Sequence, residues 1–203
     1  MMDSKKERCV AALGILTLLA VLLASIFEAE PYPALTAILG IGLTGVPMLL
    51  RRHACLPLPW MLTALTAAVT FLHSFGILAH AYDKVWWWDI LTHVAATVVL
   101  AIVVNIIILV VGRREPRVKL PLRYIPLVSL GLIISLGVLW EVLEFAFDGL
   151  LGMTMQYDLH DTAIDLSMDI LGGVLVAILI PPYMEGLDEN YGLCEYLSPL
   201  SRQ

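Results

Sequence analysis

The chain has 203 residues, of which 60% are hydrophobic and 15% charged, with a mean hydropathy of +0.87 and a formal net charge of −6. This composition excludes an ordinary soluble domain and marks a polytopic membrane protein. We expect no nucleic-acid partner, and Cys9, Cys55 and Cys194, which stand in neither CxxC nor metal-ligand spacing, are expected as reduced thiols.

Met1 to Arg8 is short and basic, and residues 10–27 are then continuously apolar or small. A signal peptide competes for this stretch. The apolar run is long for its hydrophobic region and no clear A-x-A site follows, so we read a retained first span. An acidic turn leads to the second span, residues 34–50, where close helix packing accounts for Gly40, Gly42, Gly45 and Pro47. A basic turn, Arg51, Arg52 and His53, follows. Pro57 and Pro59 precede the third span, residues 60–81, which carries His73 and His80 seven apart and so on one face.

The next turn holds Trp86, Trp87 and Trp88, which read as an interfacial belt. The fourth span, residues 90–111, has Asp89 and His93 four apart at its beginning. Asn105 lies deeper in it, where an interhelical hydrogen bond is the expected role. A basic loop, 112–123, leads to the fifth span, residues 124–147. A loop without Lys or Arg, 148–160, leads to the sixth, residues 161–180, which Pro181 and Pro182 are expected to end.

The expected fold is therefore all-α, a polytopic bundle of six transmembrane helices. It comprises one domain, residues 1–182, and a polar tail, residues 183–203. The basic residues concentrate at the N-terminus, the Arg51 turn and the 112–123 loop, whereas Lys84 alone falls in the other three loops. The positive-inside rule then predicts a cell-membrane protein with both termini cytoplasmic.

The fifth and sixth spans carry the chemistry. Glu141, Glu144 and Asp148 are spaced i, i+3, i+7 and fall within an arc of about 60°. Asp161, Asp165 and Asp169 are spaced i, i+4, i+8 and fall within about 80°. Each carboxylate at membrane depth costs on the order of 3 kcal/mol on insertion scales. Counting ~1.5 Å per residue from the outer ends, His80, Asp89, Asp148 and Asp161 lie near the outer interface. His93, Glu144 and Asp165 fall about one turn down, and His73, Glu141 and Asp169 about two turns down.

No Lys or Arg is placed to neutralise these acids. That leaves protonation, a water-filled cavity open to the outside, or a bound cation. Carboxylates with imidazoles suit a divalent zinc, manganese or iron, and they also suit a proton or cation path. The candidate ligands are Asp89, His93, Asp148, Asp165 and Asp169, with His73, His80 and Asp161 as secondary members. Glu141 and Glu144 are the candidate general bases. Simpler roles compete: Asp161 suits a helix N-cap, and a lone intramembrane histidine is often a packing residue.

Three blocks, WWWDILTHVAATVVLA, LWEVLEFAFD and DTAIDLSMDILGG, resemble the signature blocks of the YjdF-like family of prokaryotic inner-membrane proteins. The family pattern falls here on Trp88, Asp89 and His93; on Trp140, Glu141, Glu144 and Asp148; and on Asp161, Thr162, Asp165, Asp169 and Gly172. The chain is more loosely similar to VanZ-like membrane proteins, whose expected Gln and Arg it lacks. The resemblance implies a site and carries no activity with it. The sequence leaves open a metal-dependent enzyme acting on a lipid or lipid-linked substrate, a proton- or cation-coupled transporter, and a structural protein. The shortage of polar residues in the inner half, beyond Asn105, favours a dead-ended site.

Overall fold

Long apolar runs have one way to satisfy their backbone in lipid without neighbours, which is to become helices. The computed structural model describes residues 2–53, 58, 60–114, 124–152, 155, 156 and 158–191, and every regular element among them is helical. In chain order these are α1 (Met2–Phe27), α2 (Pro31–His53), α3 (Trp60–Leu78), α4 (Ala81–Lys84), α5 (Trp88–Arg114), α6 (Ile125–Leu151) and α7 (Leu159–Tyr191). All except the single-turn α4 are long and apolar enough to cross a membrane, giving the six spans expected. The chain forms two compact units, Met1–Val99 and Leu100–Gln203, and α5 contributes its first half to one and its second half to the other.

In the first unit α1, α2 and α3 pack on one another through small residues. A Cβ on Gly14 would lie 2.5 Å from that of Ala67, and one on Gly40 would lie 3.0 Å from Cβ of Thr70. These two glycines therefore sit where helices cross. Gly42 and Gly45, also expected at a packing face, have open space beside them among the described residues. Glu7 is buried at the start of α1, where its Oε1 accepts a hydrogen bond from Thr63 Oγ1 at 3.2 Å. The α1 helix ends in a Schellman arrangement. The Glu30 amide donates to the Ser25 carbonyl at 2.9 Å, and Ala29 takes the left-handed position at φ 60°.

In the second unit α6 and α7 form an antiparallel hairpin. Gly152, left-handed at φ 66°, closes α6 by donating its amide to the Asp148 carbonyl at 3.1 Å. Asp158 opens α7. Its Oδ1 accepts from the amides of His160 at 2.7 Å and Asp161 at 2.9 Å. The cap is thus Asp158 and not Asp161, because a cap must precede the first helical residue, and Asp161 sits inside the first turn.

Near the other end of the hairpin, a Cβ on Gly173 would lie 3.1 Å from Leu130 and 3.3 Å from Ile133, so the two helices approach closely there. Asn105 of α5 donates to Ser129 Oγ of α6 at 2.8 Å, the interhelical bond expected of it. The α7 helix does not stop at Pro181 and Pro182 but continues to Tyr191. Its apolar stretch ends at Leu179, and beyond the hydrocarbon, carbonyls that face a proline can be met by water. Cys55, Cys194, most of the 112–123 loop and residues 192–203 lie outside the described residues.

Candidate functional site

The acids of the second unit face inward. Glu141, Glu144, Asp165 and Asp169 are all buried, in a hairpin with no Lys or Arg between Arg123 and Arg202. The buried face of α6 runs Ile125, Ser129, Ile133, Gly137, Glu141 and Glu144, so it is apolar or small at one end and acidic at the other. The facing stripe of α7 runs Asp165, Asp169, Gly172, Gly173 and Val176 in the opposite sense.

Two close approaches fix the register. Gly173 meets Ile133, and Gly137 meets Asp169, where an added Cβ would lie 2.5 Å from Oδ2. Four residues along α6 correspond to four residues back along α7, so Glu141 lies level with Asp165. This corrects the depths read from the sequence, which paired Glu141 with Asp169 and Glu144 with Asp165. Asp169 sits one helical turn beyond Glu141, against the bare backbone of Gly137. Span ends judged by eye shift by a few residues, and one turn is all that separates these levels.

Glu141 is the singular group. It is 5% exposed, and neither carboxylate oxygen has a hydrogen-bond partner among the described residues. A buried carboxylate in that condition is costly in its charged form unless something positive reaches it.

Asp148 and Asp161, by contrast, belong to the connection between the two helices. Asp148 accepts from the amide of Met155 on Oδ1 at 2.8 Å and from the amide of Gln156 on Oδ2 at 2.9 Å. Gln156 in turn donates through Nε2 to Thr162 Oγ1 at 2.6 Å. Asp161 is half-buried in the first turn of α7.

In the first unit, Asp89 and His93 stand one turn apart at the start of α5, with Oδ1 and Nε2 3.6 Å apart. His73 of α3 reaches Tyr82 of α4, Nδ1 to hydroxyl, at 2.8 Å. The Tyr82 hydroxyl donates to Thr92 Oγ1 at 3.3 Å, and Thr92 donates to the Asp89 carbonyl at 2.9 Å. Gly76 makes room for this arrangement, since an added Cβ there would meet Tyr82 and collide with Trp88 Nε1.

His80 is not part of this cluster. It does not share a helical face with His73, because α3 ends at Leu78 and His80 turns left-handed at φ 54°. Its side chain is 59% exposed, 4.0 Å from Asp83. The tryptophan run divides: Trp86 and Trp87 are exposed, and Trp88 turns in toward Phe75 and Gly76.

Sequence reasoning missed Tyr82, Thr92 and Gly137. Tyr82 stands seven residues before Asp89 and Thr92 stands beside His93, a weak signal in a chain with hydroxyls on every span. Gly137 follows Gly131 in an otherwise apolar run, and nothing in the run separates the glycine that meets an acid from the one facing open space.

The fold defines a polytopic α-helical membrane protein whose fifth and sixth spans bury four acids. The chain belongs to the family described as predicted membrane protein (DUF2238), whose model matches residues 10–185, and this is the YjdF-like family that the three sequence blocks resemble. It is also similar to a protein of Thermotoga maritima, described as an uncharacterized protein. The two are 28% identical over 173 residues, covering 84% of this chain and 85% of that one. No solved structure matches the chain.

Proposed function

We propose that this chain is a metal-dependent membrane enzyme acting on a lipid or lipid-linked substrate, with its acidic α6–α7 face holding a divalent cation. The observation that carries the reading is Glu141, whose two carboxylate oxygens are buried without a hydrogen-bond partner among the described residues, in a hairpin without Lys or Arg. A cation held by Asp165 and Asp169 would keep Glu141 ionised, which a general base requires. Asp89 and His93, one turn apart at the start of α5, are further candidate ligands. A nitrogen ligand such as His93 among oxygens would favour zinc, manganese or iron over magnesium or calcium.

A cation bound there would supply Lewis-acid activation of a water. Glu141, or Glu144 one turn away, would take a proton from the attacking water and return it to the leaving group. The exposed apolar surface on every long helix supports a substrate that arrives through the bilayer.

A transport path finds less support. Past Asp169 the hairpin face is Gly173, Ile133 and Leu130 in contact, so the acids end in an apolar plug. The reading is tested by thermal unfolding in detergent with zinc or manganese titrated in. Wild type should melt higher as metal is added, following mass action, and Asp169→Asn should respond much less. A wild-type melting temperature indifferent to every divalent ion tried overturns the proposal.

A further inference from the structure

The acids of α7 stand in a column, and Glu141 of α6 lies at the level of the middle one. Asp161, Asp165 and Asp169 recur every fourth residue within an arc of about 80°, so each is about one helical turn from the next. The register set by Gly173 on Ile133 and by Gly137 against Asp169 puts Glu141 level with Asp165. Asp169 is then one turn to one side of Glu141, and Asp161 one turn to the other. Asp148 closes the column at the loop, where the amides of Met155 and Gln156 take its two oxygens.

Charge and hydrogen bonding point to more than one ion. Glu141, Glu144, Asp165 and Asp169 are buried and Asp161 is half-buried, and no Lys or Arg stands between Arg123 and Arg202. One divalent ion among these five acids would leave three negative charges uncompensated, whereas two would leave one, and each such charge at membrane depth is costly. A carboxylate that serves a single ion needs one oxygen for it and commonly spends the other on a hydrogen bond. Glu141 has both oxygens buried and neither bonded among the described residues.

We infer that the α6–α7 face holds a pair of divalent cations bridged by Glu141, one oxygen to each. One ion lies between Asp165 and Asp169, the other between Asp161 and Asp165. The inference rests on the metal reading above and adds its stoichiometry. The two gaps in the column are centred ~6 Å apart along α7. Paired ions in two-metal sites are about 3.5–4 Å apart, so each sits about 1 Å toward the middle level, where Glu141 and Asp165 lie. Glu141 is then a ligand, and the proton transfer proposed above falls to Glu144, the acid whose charge the pair leaves over.

The test uses full-length protein in mild detergent, stripped of metal and reloaded with manganese. Elemental analysis after dialysis should find two manganese ions per chain. Electron paramagnetic resonance should show an exchange-coupled pair, with hyperfine lines at half the spacing of an isolated ion. Asp161→Asn and Asp169→Asn, at opposite ends of the column, should each retain one ion with an isolated-ion spectrum. Glu141→Gln, which keeps the volume and removes the charge, should lose the coupled spectrum. Asp161 is half-buried in the first turn of α7, so its variant keeps the test open should Glu141→Gln fail to fold.

One manganese per chain at saturation overturns the pair and leaves the single-ion reading standing. Two uncoupled ions overturn the bridge, as does coupling that survives Asp161→Asn or a folded Glu141→Gln. Wild type that takes up no manganese overturns the pair, and if zinc and iron are refused as well the metal reading falls with it.

Discussion

Gly137→Ala is the smallest change that reaches the acidic face without touching an acid. The added Cβ would lie 2.5 Å from Asp169 Oδ2, 3.4 Å from Asp169 Cγ and 3.4 Å from Leu166 Cδ2. Only the first distance is too short. Ordinary contact begins at 3.4 Å, so the carboxylate has to move by about 0.9 Å. Asp169 is buried, and a torsional swing of that size costs about 1–3 kcal/mol where a core is overpacked. Alanine recovers up to about 1 kcal/mol of helix propensity. The net effect on the metal-free protein is then a loss of about 0–2 kcal/mol.

The effect on a bound cation should be larger, because ligand oxygens tolerate only about 0.2 Å of error. We expect metal affinity to fall at least tenfold while the protein still folds. The assay pairs detergent-phase thermal unfolding with a metal titration, for Gly137→Ala beside Gly131→Ala, whose Cβ would enter open space. Identical stability and metal affinity in the two variants would refute the α6–α7 register and the placement of Asp169 with it.

Other consequences are equally direct. Asp158 holds its carboxyl below the usual 3.8 because the amides of Asp161 and His160 donate to the ionised form, so its contribution to stability is complete above that value and lost as pH falls through the lowered one. The melting-temperature gap between wild type and Asp158→Ala should therefore be constant from about pH 5 upward and close toward acid; a gap that widens on acidification contradicts the cap. A double-mutant cycle on Asn105→Ala and Ser129→Ala should return a coupling of about 0.6 to 1.7 kcal/mol, and strict additivity would deny the hydrogen bond between them. Ala29→Gly should raise stability by about 0.5–1 kcal/mol, since a left-handed alanine costs more than the extra freedom glycine brings to the unfolded chain. A lower melting temperature in that variant would mean α1 does not end as described.

The six spans were legible because lipid leaves an apolar run few alternatives, and the acidic faces were legible because 3.6-residue periodicity places Glu141 with Glu144 and Asp165 with Asp169 on one side of a helix. Register was not legible. It depends on which glycine of α6 admits Asp169, and Gly131 and Gly137 look alike in a string of apolar residues. Ends were read less well than middles. Counting from composition placed His80 on α3 and the cap at Asp161, whereas backbone geometry turns the chain at His80 and caps α7 one turn earlier, at Asp158. Tyr82 escaped notice because its role is conferred by α4, a single turn that folds it back toward His73.

The most direct test is the metal content of protein purified in mild detergent without added chelator, by elemental analysis, for wild type and for an Asp165→Asn, Asp169→Asn double variant. We expect wild type to carry a near-stoichiometric divalent transition metal and the folded double variant to carry almost none. Wild type free of metal, and unable to take up zinc, manganese or iron when it is supplied, would contradict the account and leave Glu141 as a buried, protonated acid.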